Sequence, residues 1–233
     1  MSVGTAATLA ERVAEHIRAE IFAQHLKPGD ALPGEIEIAA RLGVSRGIVR
    51  EGRRQLVAAG LIEVSNGRRA RVSRMDDAPI LGFMTNALAT RQIGVPEVLE
   101  FRRTLEIGVA GQAALRRGAV DLARLDDIVR TLRAAVNSRK RYIDADMAFH
   151  RALALAAGNP LYVLLLDAIR TPMRASMRAS EAHRHGRRAI SEGHRLHEAI
   201  HDAVARGDRA GAEEAMREHF AEIADVMQEG QAA

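Results

Sequence analysis

Four side chains in the second half of the chain have types and spacing suited to holding a metal ion. Asp146 and His150 lie at i, i+4, on one face of one helical stretch, in the apolar setting ADMAFHRALALA. His197 stands eleven residues before Asp208, and His219 eleven residues after it. Gly207-Asp208 reads as the turn between two helices, with glycine ending one and aspartate capping the next. Eleven residues is three turns at about 3.6 residues per turn, so both imidazoles reach the same level of an antiparallel pair. If the inner faces match, one carboxylate and three imidazoles converge in a bundle core. One oxygen and three nitrogen donors without sulfur suit Zn²⁺ first, then Ni²⁺ or Mn²⁺, and leave positions open to water or a ligand.

Other readings compete. A lone buried histidine is more often a hydrogen-bonded core residue than a ligand. His194 and His201 lie a turn either side of His197, and either could replace it or be solvated. His183 and His185 flank a glycine turn among arginines, which fits an exposed loop. An open Asp/His₃ site can also activate water, so a metal-dependent hydrolase is an alternative. A permanently filled metal that only stabilises the bundle is another.

The elements that must position these groups are helical. From Pro79 onward the pattern is broken only at Gly94-Val95-Pro96, Gly118, Gly158-Asn159-Pro160, His185-Gly186 and Gly207-Asp208. Seven helices are expected, over 78–91, 96–117, 120–138, 140–157, 160–183, 188–206 and 208–229. They should form an antiparallel bundle, whose ligand sites lie between facing helices.

The first 75 residues differ. The net charge of +4 lies entirely in them, with 12 Lys and Arg against 8 Asp and Glu, while residues 76–233 carry 22 of each. Residues 41–74 alone hold nine arginines and two acids, a footprint suited to phosphate. Thr8 can cap a helix over Leu9–His25, with Leu9, Val13, Ile17 and Ile21 on one face. A short helix follows at Glu35–Leu42, with Ile36, Ala39 and Ala40 expected inside. Gly43-Val44-Ser45 then turns the chain, and Ser45 can cap a helix running to about Ala59. This is a helix-turn-helix. Leu61–Val64 and Arg69–Ser73 read as strands around Asn66-Gly67, a hairpin that would form a wing.

On the second helix of that motif Arg46, Arg50, Arg53 and Arg54 fall at i, i+4, i+7 and i+8, an expected exposed stripe, with Val49, Leu56 and Val57 facing the core. A recognition helix needs that arrangement: early arginines reach base edges and later ones hold phosphates. Arg68, Arg69 and Arg71 on the wing can add backbone or minor-groove contacts.

Composition narrows the remaining classes. The 233 residues fit two domains, 1–75 and 76–233, separated by a linker near Ser73–Pro79. There is no cysteine, hence no disulfide framework and no thiolate ligand or nucleophile. Seven aromatic residues, none of them Trp, argue against a base-stacking surface. No apolar run reaches the roughly 20 residues needed to span a bilayer, and no signal-peptide pattern opens the chain. The expectation is a cytoplasmic protein with no membrane partner.

The first segment resembles the winged helix of GntR-family bacterial regulators. The matching pieces are PGDALP (28–33), IAARLGVSR (38–46), VRE (49–51), GLI (60–62) and the wing-tip Gly67. The resemblance implies that Arg46 and Arg50 contact operator DNA and that Gly67 sits in the wing. Three departures bear on operator affinity rather than on fold. The family usually has Ser-Glu-Arg at Gly34-Glu35-Ile36, and Ala-Leu at Gly52-Arg53. Glycine for alanine inside a helix costs about 1 kcal/mol, and an arginine stands where a core leucine is usual.

LEFRRTLE (99–106), DMAFH (146–150) with AAGN (156–159), HEAIHDAVARGD (197–208) and AMREH (215–219) resemble the FadR C-terminal ligand-binding domain, FCD. Members with Asp, His, His and His at the positions of Asp146, His150, His197 and His219 bind a divalent metal, which helps to hold a small carboxylate effector. The arginine of the EFR motif, Arg102 here, often faces that cavity. The helix preceding LEFRRTLE places the chain with the seven-helix FadR subfamily. The implied protein is mainly α, a winged helix-turn-helix followed by an antiparallel bundle. It would be a homodimeric, non-enzymatic repressor that binds a pseudo-palindromic double-stranded DNA operator through Ser45, Arg46, Arg50, Arg53, Arg54, Gly67, Arg68 and Arg69. Its operator affinity would be set by a carboxylate metabolite.

Overall fold

A computed structural model describes residues 7–65, 69–135, 137–180 and 187–231. The chain divides into two compact units, Met1–Pro79 and Ile80–Ala233.

In the first unit α1 spans Leu9–Ala23, α2 Glu35–Leu42 and α3 Arg46–Ala58, followed by β1 (Ile62–Glu63) and β2 (Arg71–Val72). Thr8 caps α1: its hydroxyl accepts from the Glu11 N–H at 3.2 Å, and the Glu11 carboxylate accepts from the Thr8 N–H at 2.7 Å. Gly43, in the left-handed region at φ 65°, ends α2, and Ser45 caps α3 by accepting from the Ile48 N–H at 3.4 Å. The strands pair antiparallel, Ile62 with Val72 and Glu63 with Arg71. The PGDALP segment joins this sheet as an edge, through Gly29 N–H to Val72 O at 2.8 Å, Val72 N–H to Asp30 O at 2.9 Å and Leu32 N–H to Ala70 O at 2.8 Å. Val13, Ile17, Ile21, Leu32, Ile38, Val49, Leu56 and Ile62 form the core.

Several faces differ from expectation. The buried face of α3 is Val49, Gly52, Arg53 and Leu56, at i, i+3, i+4 and i+7. Arg53 is therefore inside, at 7% exposure, and is not part of the arginine stripe, whereas Val57 is 43% exposed. The cause is the approach of α1: a Cβ on Gly52 would stand 2.8 Å from the Ala10 carbonyl oxygen and 3.1 Å from the Ala14 nitrogen. The missing side chain lets two helix backbones touch. On α2, Ile38 and Ala39 are the core residues, while Ile36, 68% exposed, and Ala40 point outward. Leu9 lies at the open end of α1 and is exposed.

The second unit contains α4 (Ala78–Ala89, beginning at the junction), α5 (Val95–Arg116), α6 (Ala119–Ala134), α7 (Arg139–Ala156), α8 (Pro160–Ser180), α9 (Arg187–Arg206) and α10 (Arg209–Gln231). The seven helices follow the expected order; α6 ends at Ala134, short of the expected 138. α5 is central, packing on α7, α8, α9 and α10. Its small residues Ala110, Ala113 and Ala114 are fully buried, which permits close approach. Arg116 and Arg117 at its end satisfy carbonyls at the ends of neighbouring helices. Arg116 donates to Ala157 O at 2.9 Å, and Arg117 to Val204 O at 2.9 Å and Ala205 O at 3.1 Å. The ends of α7 and α9, two helices that carry candidate ligands, are thereby tied to one scaffold helix.

Candidate functional site

Asp146 and His150 project from one face of α7, His197 from α9 and His219 from α10. α9 and α10 reverse at Gly207, at φ 73°, and Asp208 caps α10 by accepting from the Gly211 N–H at 2.9 Å. The equal spacing on either side of this turn brings the two imidazoles to one level, with ring centroids 4.5 Å apart. His150 stands 5.2 Å from His219 and 5.8 Å from His197, centroid to centroid. Asp146 Oδ1 lies 3.0 Å from His197 Nε2 and 3.8 Å from His150 Nε2. One ligand atom from each of the four residues falls within 4.8 Å of all the others.

The electrostatics suit a cation. The three histidines are buried. Both ring nitrogens of His219 are buried with no hydrogen-bond partner among the described residues, an arrangement that costs about 1–3 kcal/mol per unsatisfied group. Burial, and then the neighbouring His197 and His150, hold His219 well below the usual histidine range, so it presents a neutral imidazole with a lone pair to donate. Burial alone would raise Asp146, but the neighbouring imidazoles of His150 and His197 hold it well below the usual carboxylate range. Burial alone would lower His150, yet Glu106 and Asp146 raise it to about 9. One anionic oxygen and three imidazoles, one of them without a hydrogen-bond partner among the described residues, are a donor set that fits a divalent ion.

Around this cluster lies a second layer. The Glu106 carboxylate meets His150 Nδ1 with one oxygen, and with the other accepts from Arg102 Nε at 2.6 Å. Burial opposes ionisation of Glu106, but Arg102 and His150 outweigh it and lower its pKa. Arg102 is buried, with its guanidinium carbon 5.4 Å from the Phe220 ring centroid. Together with His150 it lines a cleft whose other polar residues are Arg151, Asp167 and Arg170. Tyr142 Oη lies 3.5 Å from His197 Nδ1. The sequence did not mark Glu106 or Tyr142; the i, i+4 spacing of Arg102 and Glu106 was the available signal for the former. His194 and His201 do not join the cluster. His194 Nε2 faces Glu198 at 3.3 Å, and His201 faces Asp126 at 2.7 Å and Asp202 at 3.1 Å. His183 and His185 lie outside the described residues.

In the first unit, Ser45 caps α3 while Arg46, Arg50 and Arg54 are exposed along it. Arg69 is exposed beside the wing strands; Gly67 and Arg68 lie outside the described residues. Glu35, at the start of α2, was not singled out by the sequence as a site residue, yet it gathers three arginines of α3. Its carboxylate stands 3.0 Å from Arg50 Nε, 4.0 Å from Arg46 Nη2 and 3.8 Å from Arg53 Nη1. Arg53 also donates to the Pro33 carbonyl; burial lowers its pKa against the opposing pull of Glu35. Among the described residues, no helix is long and apolar enough to cross a membrane.

Residues 9–72 match the bacterial regulatory proteins of the gntR family, and residues 97–222 match the FCD domain. The chain is 33% identical over 204 residues to the HTH-type transcriptional regulator LutR of Bacillus subtilis (strain 168), covering 87% of this chain and 93% of LutR. It is 30% identical over 219 residues to the HTH-type transcriptional repressor NanR of Cronobacter sakazakii (strain ATCC BAA-894), covering 91% of this chain and 82% of NanR. Among solved structures, Streptococcus agalactiae GntR has the same fold at a TM-score of 0.66 and 24% identity, over 96% of this chain and all of that one. These relatives are transcriptional regulators, not enzymes, which removes the hydrolase alternative. With both domain matches in chain order and relatives of 30% identity or more over most of their length, the chain belongs to the GntR family of DNA-binding transcriptional regulators, with an FCD domain.

Proposed function

We propose that this regulator is a homodimeric repressor whose operator affinity is set by a small carboxylate metabolite held beside a divalent metal in the FCD domain. The observation that carries the reading is the convergence of Asp146, His150, His197 and a His219 without hydrogen-bond partners among the described residues, next to the buried guanidinium of Arg102. The four residues would hold the ion, Zn²⁺ before Ni²⁺ or Mn²⁺ given donors without sulfur. The ion supplies a positive centre to which carboxylate oxygens are attracted. Glu106 holds His150 through Nδ1 and Tyr142 approaches Nδ1 of His197, so each ring directs Nε2 toward Asp146. Arg102 supplies the charge that orients the effector carboxylate, in exchange for part of its pairing with Glu106.

In the first unit, Arg46 and Arg50 read base edges in the major groove, and Ser45, Arg54 and Arg69, with Gly67 and Arg68, contact the backbone. Two such units in a dimer match a pseudo-palindromic operator. Arg53, being buried, takes no part in DNA contact.

The test is a duplex selected by the protein from a randomised library, titrated with the metal-loaded protein in the presence of a panel of small carboxylates. An effector is expected to weaken binding by about 5–150-fold, and His197→Ala should abolish that response. Operator affinity unchanged by every carboxylate, with the metal bound, would overturn the proposal.

A further inference from the structure

We infer that Glu35 is a specificity-determining residue of the DNA interface: held in place by the buried Arg53, it fixes Arg50 by its Nε edge and leaves the terminal guanidinium nitrogens directed at a guanine. The inference rests on the assignment of Arg50 to the major groove made above. Three observations carry it. The Glu35 carboxylate reaches Arg50 at Nε, 3.0 Å away. A carboxylate there occupies one edge of the guanidinium, so the Nη1/Nη2 pair remains to make the two parallel hydrogen bonds that guanine O6 and N7 accept. Arg46, by contrast, is approached only at a terminal nitrogen and at 4.0 Å.

The second observation is Arg53. A charged side chain inside a small core is strongly disfavoured unless paired, and leucine is usual at this position in the family. Arg53 runs under the start of α2, donates to the Pro33 carbonyl and places Nη1 3.8 Å from Glu35 Oε1. It thus binds the backbone just before α2 and the opposite oxygen of the carboxylate that holds Arg50. The third observation is charge. Glu35 is the one acidic group in a cluster with Arg46, Arg50 and Arg53, and it is three-quarters covered. An anion close to a phosphate-binding surface weakens non-specific attraction while it orders the arginine that reads sequence. Both effects raise the ratio of specific to non-specific affinity.

The experiment measures affinity for the wild-type-selected duplex and for a scrambled duplex of the same composition, in wild type, Glu35→Gln, Arg53→Leu, Arg53→Lys and Arg50→Ala, with circular dichroism and thermal unfolding on each. Glu35→Gln and Arg53→Leu should lower the specific affinity by about tenfold or more, the scale of one bidentate base contact. Glu35→Gln should also raise affinity for the scrambled duplex. Reselection with either variant should relax preference at the same base pair that Arg50→Ala relaxes, and Arg53→Lys should restore part of the loss. An unchanged ratio of specific to scrambled affinity in folded Glu35→Gln would overturn the inference while Arg50→Ala still abolishes recognition. If Arg50→Ala keeps full specificity, the underlying assignment of Arg50 fails instead. Uniform loss on both duplexes, tracking loss of thermal stability, would reduce Arg53 to a packing residue and would also overturn the inference.

Discussion

The carboxylate of Asp146 lies 3.0 Å from Nε2 of His197, and each side chain comes from a different helix of the bundle. His219 closes the same cluster with two buried ring nitrogens that no hydrogen bond satisfies among the described residues. Together they give a stability prediction. An ion that binds only the folded protein stabilises it by about 2.7 kcal/mol at a free concentration one hundred times its Kd. For a chain of this size, that is about 5–10 °C in Tm. Chelation should lower Tm by this order and zinc should restore it, with zinc content near one per chain. His219→Ala should lose the zinc response in differential scanning calorimetry. A Tm indifferent to chelator and zinc would count against the metal centre.

Glu106 joins the same cluster to Arg102, and both are buried. Glu106→Gln keeps the shape but leaves Arg102 facing a neutral partner, and breaking a buried pair costs about 3–5 kcal/mol. It also removes the anion at His150 Nδ1, and loss of such an outer partner lowers metal affinity by about 10–100-fold. Urea unfolding of the metal-free variant and zinc titration of the folded variant separate the two effects. Zinc affinity equal to wild type would limit Glu106 to neutralising Arg102.

Gly52 carries a prediction whose sign depends on two opposed magnitudes. Replacing it by alanine inside α3 gains about 1 kcal/mol of helix propensity. The new Cβ, however, would meet the Ala10 carbonyl oxygen at 2.8 Å, and the backbone shift needed to relieve such overpacking costs about 1–3 kcal/mol. Gly52→Ala is therefore expected to be destabilising in urea unfolding, despite restoring the residue usual in the family. A stabilised variant would show that α1 moves aside freely.

The same glycine explains which parts of this molecule were legible in its sequence. The Asp/His₃ cluster was readable because Gly207-Asp208 sets the register of α9 against α10, and because i, i+4 spacing sets one face of α7. Local rules suffice there. The faces of α2 and α3 were not, because charge and hydropathy place Arg53 outside and Ile36 inside, whereas the close contact of α1 at Gly52 rotates Val49, Gly52, Arg53 and Leu56 inward. Glycine there marks the buried face, and only the packing partner reveals it. Glu106 and Glu35 were hidden for a related reason. Each is an ordinary acid in a charged stretch until a helix from elsewhere in the chain brings His150 or Arg50 beside it.

Ile36 gives the last prediction. It stands next to Glu35 at the start of α2 and is 68% exposed, at the position where the resemblance to the family implies an arginine. An exposed isoleucine contributes nothing to the core, so exchanging it should leave stability within about 0.5 kcal/mol. Ile36→Arg adds a cation to a helix N-terminus, which the helix dipole opposes by about 0.3–1 kcal/mol. A phosphate at that end more than offsets this penalty in the complex. The variant should bind the selected duplex more tightly at low salt, and its plot of log affinity against log salt should steepen by about one unit, the signature of one added phosphate contact. Affinity for the scrambled duplex should rise with it, because a phosphate contact carries no sequence information. An unchanged salt slope would mean that the start of α2 faces away from the DNA backbone, and the orientation of α3 in the groove would then have to be turned about its own axis.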